Sequence, residues 1–326
     1  MKLTYNAIRR RSLLLAALLG LACAGAQAQS YPTKPIRLLV GYSAGGGVDT
    51  TARLLAPRLS ALLGQQVVVE NRAGASGMIA GDVVAKAAPD GYTLLLGESG
   101  LLIDPYLHSH MTFDPLKSFA PVASLFNMPL MIVTGNDFPA KTPRQFVALL
   151  KANPGKYSFA TSGVGTVQHL GFEMFKGEIG AFVVHVPYRG AAQIVPDVMS
   201  GQVPIGVVSV TAGLAHAKAG TLHALALMSP VKLAGAEDIP SLSEVLPGFN
   251  VAPRVFLLAP AGTPAPVIER LSEAVRTVLA SPELVKAAAV QGAVPAYMAA
   301  GPLAADLRRE SATWGGIIRD QKIAAQ

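Results

Sequence analysis

Cysteine is nearly absent: Cys23 is the only one in 326 residues, so no disulfide framework and no cysteine-rich zinc module can form. Charged residues make up only 14%, too few for a disordered polyelectrolyte. Aromatics are 6%, and no lysine–arginine cluster is interleaved with them. That removes the usual footprint of nucleic-acid binding, despite a formal charge of +7. No apolar run reaches the roughly 20 residues a bilayer span needs. The P-loop pattern GxxxxGK[ST] does not occur, and Gly45–Gly47 lacks G-x-G-x-x-G spacing, so no nucleotide cofactor is expected. What is abundant is glycine, 32 residues, and proline, 24. They follow no period, which excludes collagen and points to many tight turns.

The first 28 residues have the layout of an export signal. Lys2, Arg9, Arg10 and Arg11 form a basic start without acids, Leu13 to Ala22 an apolar stretch, and Ala26-Gln27-Ala28 a cleavage pattern. Arg10-Arg11 also fits a twin-arginine signal, so the export route stays open. Cleavage after Ala28 would take Cys23, four of the 27 basic residues and none of the 20 acidic ones, leaving a net +3. A thiol-free mature chain suits the periplasm, where a nucleotide would be scarce.

The mature chain alternates short apolar runs with helical periodicity. Ile36–Val40, Val67–Glu70 and Tyr92–Leu96 read as strands, separated by helices over 48–62 and 78–87. Gly64 stops the first helix, and Pro57 should kink it or force a local adjustment. This β-α-β-α-β order predicts a parallel α/β sheet. Strands follow at Leu130–Val133, up to Phe159, and at Val183–Val186, Val203–Val210 and Leu222–Leu227. Capping boxes are expected at Thr142–Gln145 and Ser241–Glu244. Thr263-Pro264 and Ser281-Pro282 each place a cap before a first-turn proline, opening helices over Val267–Leu279 and Glu283–Val290.

Three glycine-rich stretches lie between strand and helix: Gly41–Gly47, Ala73–Gly77 and Ser162–Thr166. Such turns present main-chain N–H groups at a helix start, with the positive end of its dipole behind them. In open α/β sheets, ligands bind beyond the carboxyl ends of the strands, where these turns lie. Gly41-Tyr42-Ser43-Ala44-Gly45 also matches the hydrolase pattern G-x-S-x-G, so a secreted serine hydrolase using Ser43 is the competing reading. It lacks an upstream oxyanion loop and an obvious late histidine. His108, His110, Asp104 and Asp114 could cluster, but no third ligand has helical spacing to them, and no metal site is expected. His169 falls in the first turn of its helix, where it faces either the cleft or the core. His185 reads as a buried strand residue.

The stretches YPTKPI (31–36), GGGVDTTAR (45–53), VVVENRAGASG (67–77), SGVGTVQHL (162–170), HVPYRGAA (185–192), SGQV (200–203) and LAPAGTPAP (258–266) together resemble one family. It is that of the extracytoplasmic solute-binding receptors of tripartite tricarboxylate transporters, the Bordetella uptake gene family. The resemblance implies a two-lobed periplasmic binding-protein fold, each lobe a mostly parallel sheet flanked by helices, with residues 29–130 and 231–326 in one lobe and 131–230 in the other. It implies a small organic carboxylate in the cleft between lobes, a tripartite-type membrane permease as partner (or a signalling partner), no cofactor, no catalysis and a monomeric state.

The ligand would be held by Tyr42, Ser43, Ala44, Gly45, Gly46, Gly47, Asp49 and Ser76 from one lobe and by Ser162, Gly163, Gly165, Thr166, His169 and Tyr188 from the other. Arg254 stands where the family often has tryptophan. Its planar fork suits a carboxylate clamp, and a solvated surface arginine is the competing reading. Pro204 and His223 also depart from the family pattern, which bears on the ligand class more than on the fold.

Overall fold

The computed structural model describes residues 31–74, 77–108, 111–188, 193–230, 233 and 235–323. From Lys34 onward the chain forms one body built on two sheets. The export-signal region, residues 1–28, lies outside the described residues, as do Ser76, His110 and Arg189.

The first sheet starts with β1 (Ile36–Val40), α1 (Gly47–Leu63), β2 (Val67–Asn71), α2 (Met78–Ala85), β3 (Thr93–Glu98), α3 (Gly100–Leu107) and β4 (Phe119–Asn127). The chain then passes to the second sheet: β5 (Leu130–Thr134), α4 (Pro143–Ala152), β6 (Ser158–Thr161), α5 (Val167–Ile179), β7 (Val184–Pro187), α6 (Ile194–Met199), β8 (Ile205–Ser209), α7 (Val210–Lys218) and β9 (His223–Leu227). It returns to the first through β10 (Arg254–Pro260), α8 (Ala265–Leu279), α9 (Pro282–Val290), β11 (Val294–Ala299) and α10 (Ala300–Asp320). The strand orders are β11-β4-β10-β3-β1-β2 and β7-β6-β8-β5-β9.

Parallel pairing holds in the β3-β1-β2 and β7-β6-β8 segments, and the remaining pairs are antiparallel. The expectation of mostly parallel sheets is therefore met only where helices cross over. The strands that carry the chain between sheets, β4, β5 and β10, run against their neighbours. The first crossing is only two residues long, Met128 and Pro129.

Local sequence explains most element ends. Helix α1 buries Leu55, Leu59 and Leu63 and stops at Gly64, whose φ of 70° is open to a residue without Cβ. It runs unbroken through Pro57, and the Arg58 side chain donates to the Leu54 carbonyl at 2.7 Å. Thr142 and Ser281 cap α4 and α9 as expected, and Ser241–Glu244 closes a full capping box. Two caps differ. Gln145 reaches back to the Lys141 N–H rather than to that of Thr142. Thr263 donates to the Pro260 carbonyl, so α8 starts one residue later behind Pro264.

Phe146, Phe159, Phe172 and Phe175 fill the second sheet's core, with Phe159 and Phe172 stacked at 4.1 Å, and Phe249 reaches Phe175 from the returning segment. Each such side chain contributes about 1.5–3 kcal/mol on burial. Helix α10 lies along β4 and α3 and also packs on α5, so it ties the two sheets together.

Candidate functional site

The turn after β1 is built from the inside. Asp49, buried in the first turn of α1, accepts from the Gly45 N–H (2.8 Å), Arg53 Nε (2.9 Å) and Asn71 Nδ2 (2.8 Å). Asn71 also donates to the Tyr42 carbonyl at 3.0 Å. Burial alone would raise the Asp49 carboxyl, but these donors hold it below the ordinary range. Asp49 therefore shapes the turn; it does not point out of it. Ser43, Ala44, Gly45, Gly46 and Gly47 are exposed. Gly46 donates to the Ser43 carbonyl at 3.2 Å, while the main-chain N–H groups of Ser43, Ala44, Gly47 and Val48 find no acceptor among the described residues. The adjoining glycine turn is pressed against this one: a Cβ on Gly41 would stand 2.4 Å from the Gly77 Cα.

The turn after β6 repeats the construction with different side chains. Thr166 caps α5, accepting from His169 N–H (3.3 Å) and donating to the Gly163 carbonyl (2.9 Å). His169, 5% exposed, accepts the Gly165 N–H on Nδ1 at 3.2 Å. Its proton then sits on Nε2, 3.7 Å from Glu173 Oε1. Burial first, then the neighbouring His185 and Lys176, lower the His169 pKa to about 3. His185 stacks on it at 3.8 Å and is itself lowered to about 4, chiefly by burial. Both rings are neutral at ordinary pH, so His169 supports the turn as a packed acceptor. Within this turn, the N–H groups of Val164, Thr166, Val167 and Gln168 find no acceptor among the described residues.

Gly47 approaches Met128 in the crossing between sheets, and Gly165, at φ 77°, lies against Leu107 at the end of α3, where a Cβ would come within 2.2 Å of Leu107 Cδ1. Tyr188 follows β7, its carbonyl beside Gly163. Its phenol donates to Asp197 and is pushed to about 12, first by burial and then by that bond. Arg254 is neither a free clamp nor a solvated surface residue. Its guanidinium pairs with Asp306 and lies 3.7 Å from Glu310, both on α10.

The model of the tripartite tricarboxylate transporter family receptor matches residues 51–323. The chain belongs to this receptor family. A UPF0065 protein from the tcbD-tcbE intergenic region of Pseudomonas sp. (strain P51) is 33% identical over 323 residues, covering 98% of this chain and 96% of that one. The periplasmic binding protein BugD superposes with a TM-score of 0.76 at 30% identity, covering 91% of this chain and all of that one. An R. palustris protein solved with adipate superposes with a TM-score of 0.79 at 29% identity, covering 90% and 99%.

This receptor thus has the two-lobed periplasmic binding-protein fold, with a lobe on each sheet, and it is a solute receptor. The serine-hydrolase reading of Ser43 finds no support. The family is one of binding proteins, and among the described residues no histidine bonds to Ser43. One residue at the site escaped the sequence reading. Glu98 ends β3, accepts from the Tyr42 hydroxyl at 2.9 Å and lines a small hollow with Gly41, Tyr42, Gly77 and Leu101. An acid closing the run Leu94-Leu95-Leu96-Gly97, at the carboxyl end of a strand, was the available signal.

Proposed function

We propose that this receptor binds a small organic carboxylate between its lobes, residues 29–130 with 231–326 on one side and 131–230 on the other, and delivers it unchanged to a tripartite tricarboxylate-type membrane partner. It works as a monomer in the periplasm, after removal of the segment ending near Ala28. The reading rests on one observation: each of two strand-to-helix turns carries main-chain N–H groups with no acceptor among the described residues. Asp49 and His169 take up the N–H groups of Gly45 and Gly165, and those of Ser43, Ala44, Gly47, Val164 and Thr166 remain for a ligand.

Ser43, Ala44, Gly46 and Gly47 from one lobe, and Ser162, Gly163 and Thr166 from the other, would form the cradle, with Tyr42, Tyr188 and Ser76 at its margins. An ionised carboxylate is costly to dry. Each charge-assisted hydrogen bond returns about 1.5–3 kcal/mol, so several converging N–H groups and two helix dipoles can offset that cost. Donors from both lobes are satisfied together only when the lobes close, and so ligand shifts the hinge toward closure. The solved neighbour carrying adipate has the same fold, which supports the ligand class.

The decisive experiment is thermal unfolding of the mature protein with adipate, malate, citrate, glutamate and benzoate, beside Gly47→Pro. Proline is tolerated at the first position of a helix, and Gly46 before it is already extended (φ −74°, ψ 166°), so the fold should survive. The substitution removes the N–H, and its added Cβ would stand 3.3 Å from Met128 Cε, the end of a flexible side chain that can yield. At least one acid should raise the melting temperature, and Gly47→Pro should weaken it roughly tenfold to a hundredfold. No shift with any acid would refute the reading.

A further inference from the structure

Behind the first turn lie two acids that the proposed cradle does not use. Glu98 Oε2 accepts from the Tyr42 hydroxyl at 2.9 Å and from the Gly100 N–H at 3.0 Å. Asp104, on α3, is 3% exposed, and its Oδ2 is buried with no hydrogen-bond partner. Its Oδ1 is 3.8 Å from His108 Nε2. Two neighbouring elements carry further charged groups: β10 pairs with β3 at Val255 and Glu98, and Glu310 on α10 bears on Glu98. Arg254 stands at the start of β10, and Asp306, Arg309 and Glu310 lie on α10. Asp306 pairs with both arginines, and Glu310 approaches Arg254. These arginines are matched by α10 acids, and among the described residues no lysine or arginine pairs with Glu98 or Asp104. Burial lifts Glu98 to about 7 and Asp104 to about 8, and Glu98 adds to the rise of Asp104.

The position of the pair gives it a role. Tyr42 joins Glu98 to the first turn, and Leu107, three residues beyond Asp104, packs on Gly165 of the second. Helix α3 therefore links the two turns, with Glu98 two residues before it and Asp104 within it. We propose that Glu98 and Asp104 form a proton-linked element, so that this receptor takes up an organic anion together with a proton from solvent, held on one oxygen of this pair. The inference rests on the carboxylate reading above. An anion at Tyr42–Gly47 repels an ionised Glu98 or Asp104, and protonation removes the repulsion. Charge on Glu98 raises Asp104, so the ionisation of one bears on the other.

Titration calorimetry of the mature protein with adipate, malate and citrate, each in HEPES and in Tris at pH 7.5, tests this. Binding heats should differ between buffers in the sense of proton uptake. Affinity should fall by up to about tenfold per pH unit above the free pair's range, for one linked proton. In E98Q/D104N both effects should vanish. Should that variant fail to fold, E98Q alone should reduce the uptake, and the wild-type comparison stands without either. Binding with buffer-independent heat, or with proton release, would overturn the inference and leave the carboxylate reading intact. Absence of binding by all three acids, together with a flat thermal screen, would overturn both.

Discussion

At Asp49 a buried carboxylate accepts three hydrogen bonds, from Gly45, Arg53 and Asn71, and through them fixes the path of residues 42–47. Asp49→Ala would leave all three donors without their acceptor. A loss of about 1–3 kcal/mol in urea unfolding is expected, with weaker carboxylate binding from the loosened turn. Asp49→Asn keeps one oxygen and should cost less. Gly165 shows the complementary constraint: its φ of 77° and its contact with Leu107 leave no room for a Cβ. From the sequence, Asp49 and His169 could be placed beside a ligand. Which way their polar atoms face depended on neighbours 4 to 22 residues away, Gly45, Asn71 and Gly165, and spacing does not encode that.

Helix α5 and strands β6 and β7 share a buried polar layer under the second turn. His169 stacks on His185, and Glu173 and Lys176 pair beside them, with Lys176 Nζ 2.6 Å from Glu173 Oε1. The folded-state pKa values of both histidines lie below their ordinary 6.5, at about 3 and about 4. Between those values and 6.5 the unfolded chain binds protons that the native state refuses, so this layer loses stability as pH falls through that window. Glu98 and Asp104 act in the opposite sense. Their raised values make the native state hold protons that the unfolded chain releases, so their contribution declines as pH rises from about 4 to 8.

Urea unfolding from pH 7 to pH 5 separates the two. Over that range the two contributions oppose each other, so relative to wild type His169→Gln should gain stability on acidification, by at most about 1.4 kcal/mol per pH unit. Strand and helix identity in this region was legible from hydrophobic spacing and caps. The stacked histidines were not, because they come from different elements.

Over the whole molecule, two sheets are joined by a two-residue crossing, a longer return and the C-terminal helix. Helix α10 packs on β4 and α3 of one lobe and on α5 of the other. Gly315 lets it approach Tyr106, where a Cβ would stand 2.4 Å from the ring. Gly315→Val should push the helix away and cost about 1–3 kcal/mol. Because α10 contacts both lobes, the melting curve should move as one transition, monitored by circular dichroism and by the fluorescence of Trp314 on the same helix. Splitting into two transitions would show the lobes to be independent.

The sequence by itself determined the parts with local causes: β1 to β3 with their parallel order, the glycine turns, most caps and the family. These follow from hydrophobic period, turn chemistry and motif, all of which act over a few residues. Tertiary structure alone decided the antiparallel placement of β4, β5, β10 and β11, and it paired Arg254 with α10 instead of a ligand. It also set Glu98 and Asp104 behind the first turn. Those outcomes depend on which distant elements share a buried space, where desolvation and pairing govern a side chain more than its own sequence neighbours do.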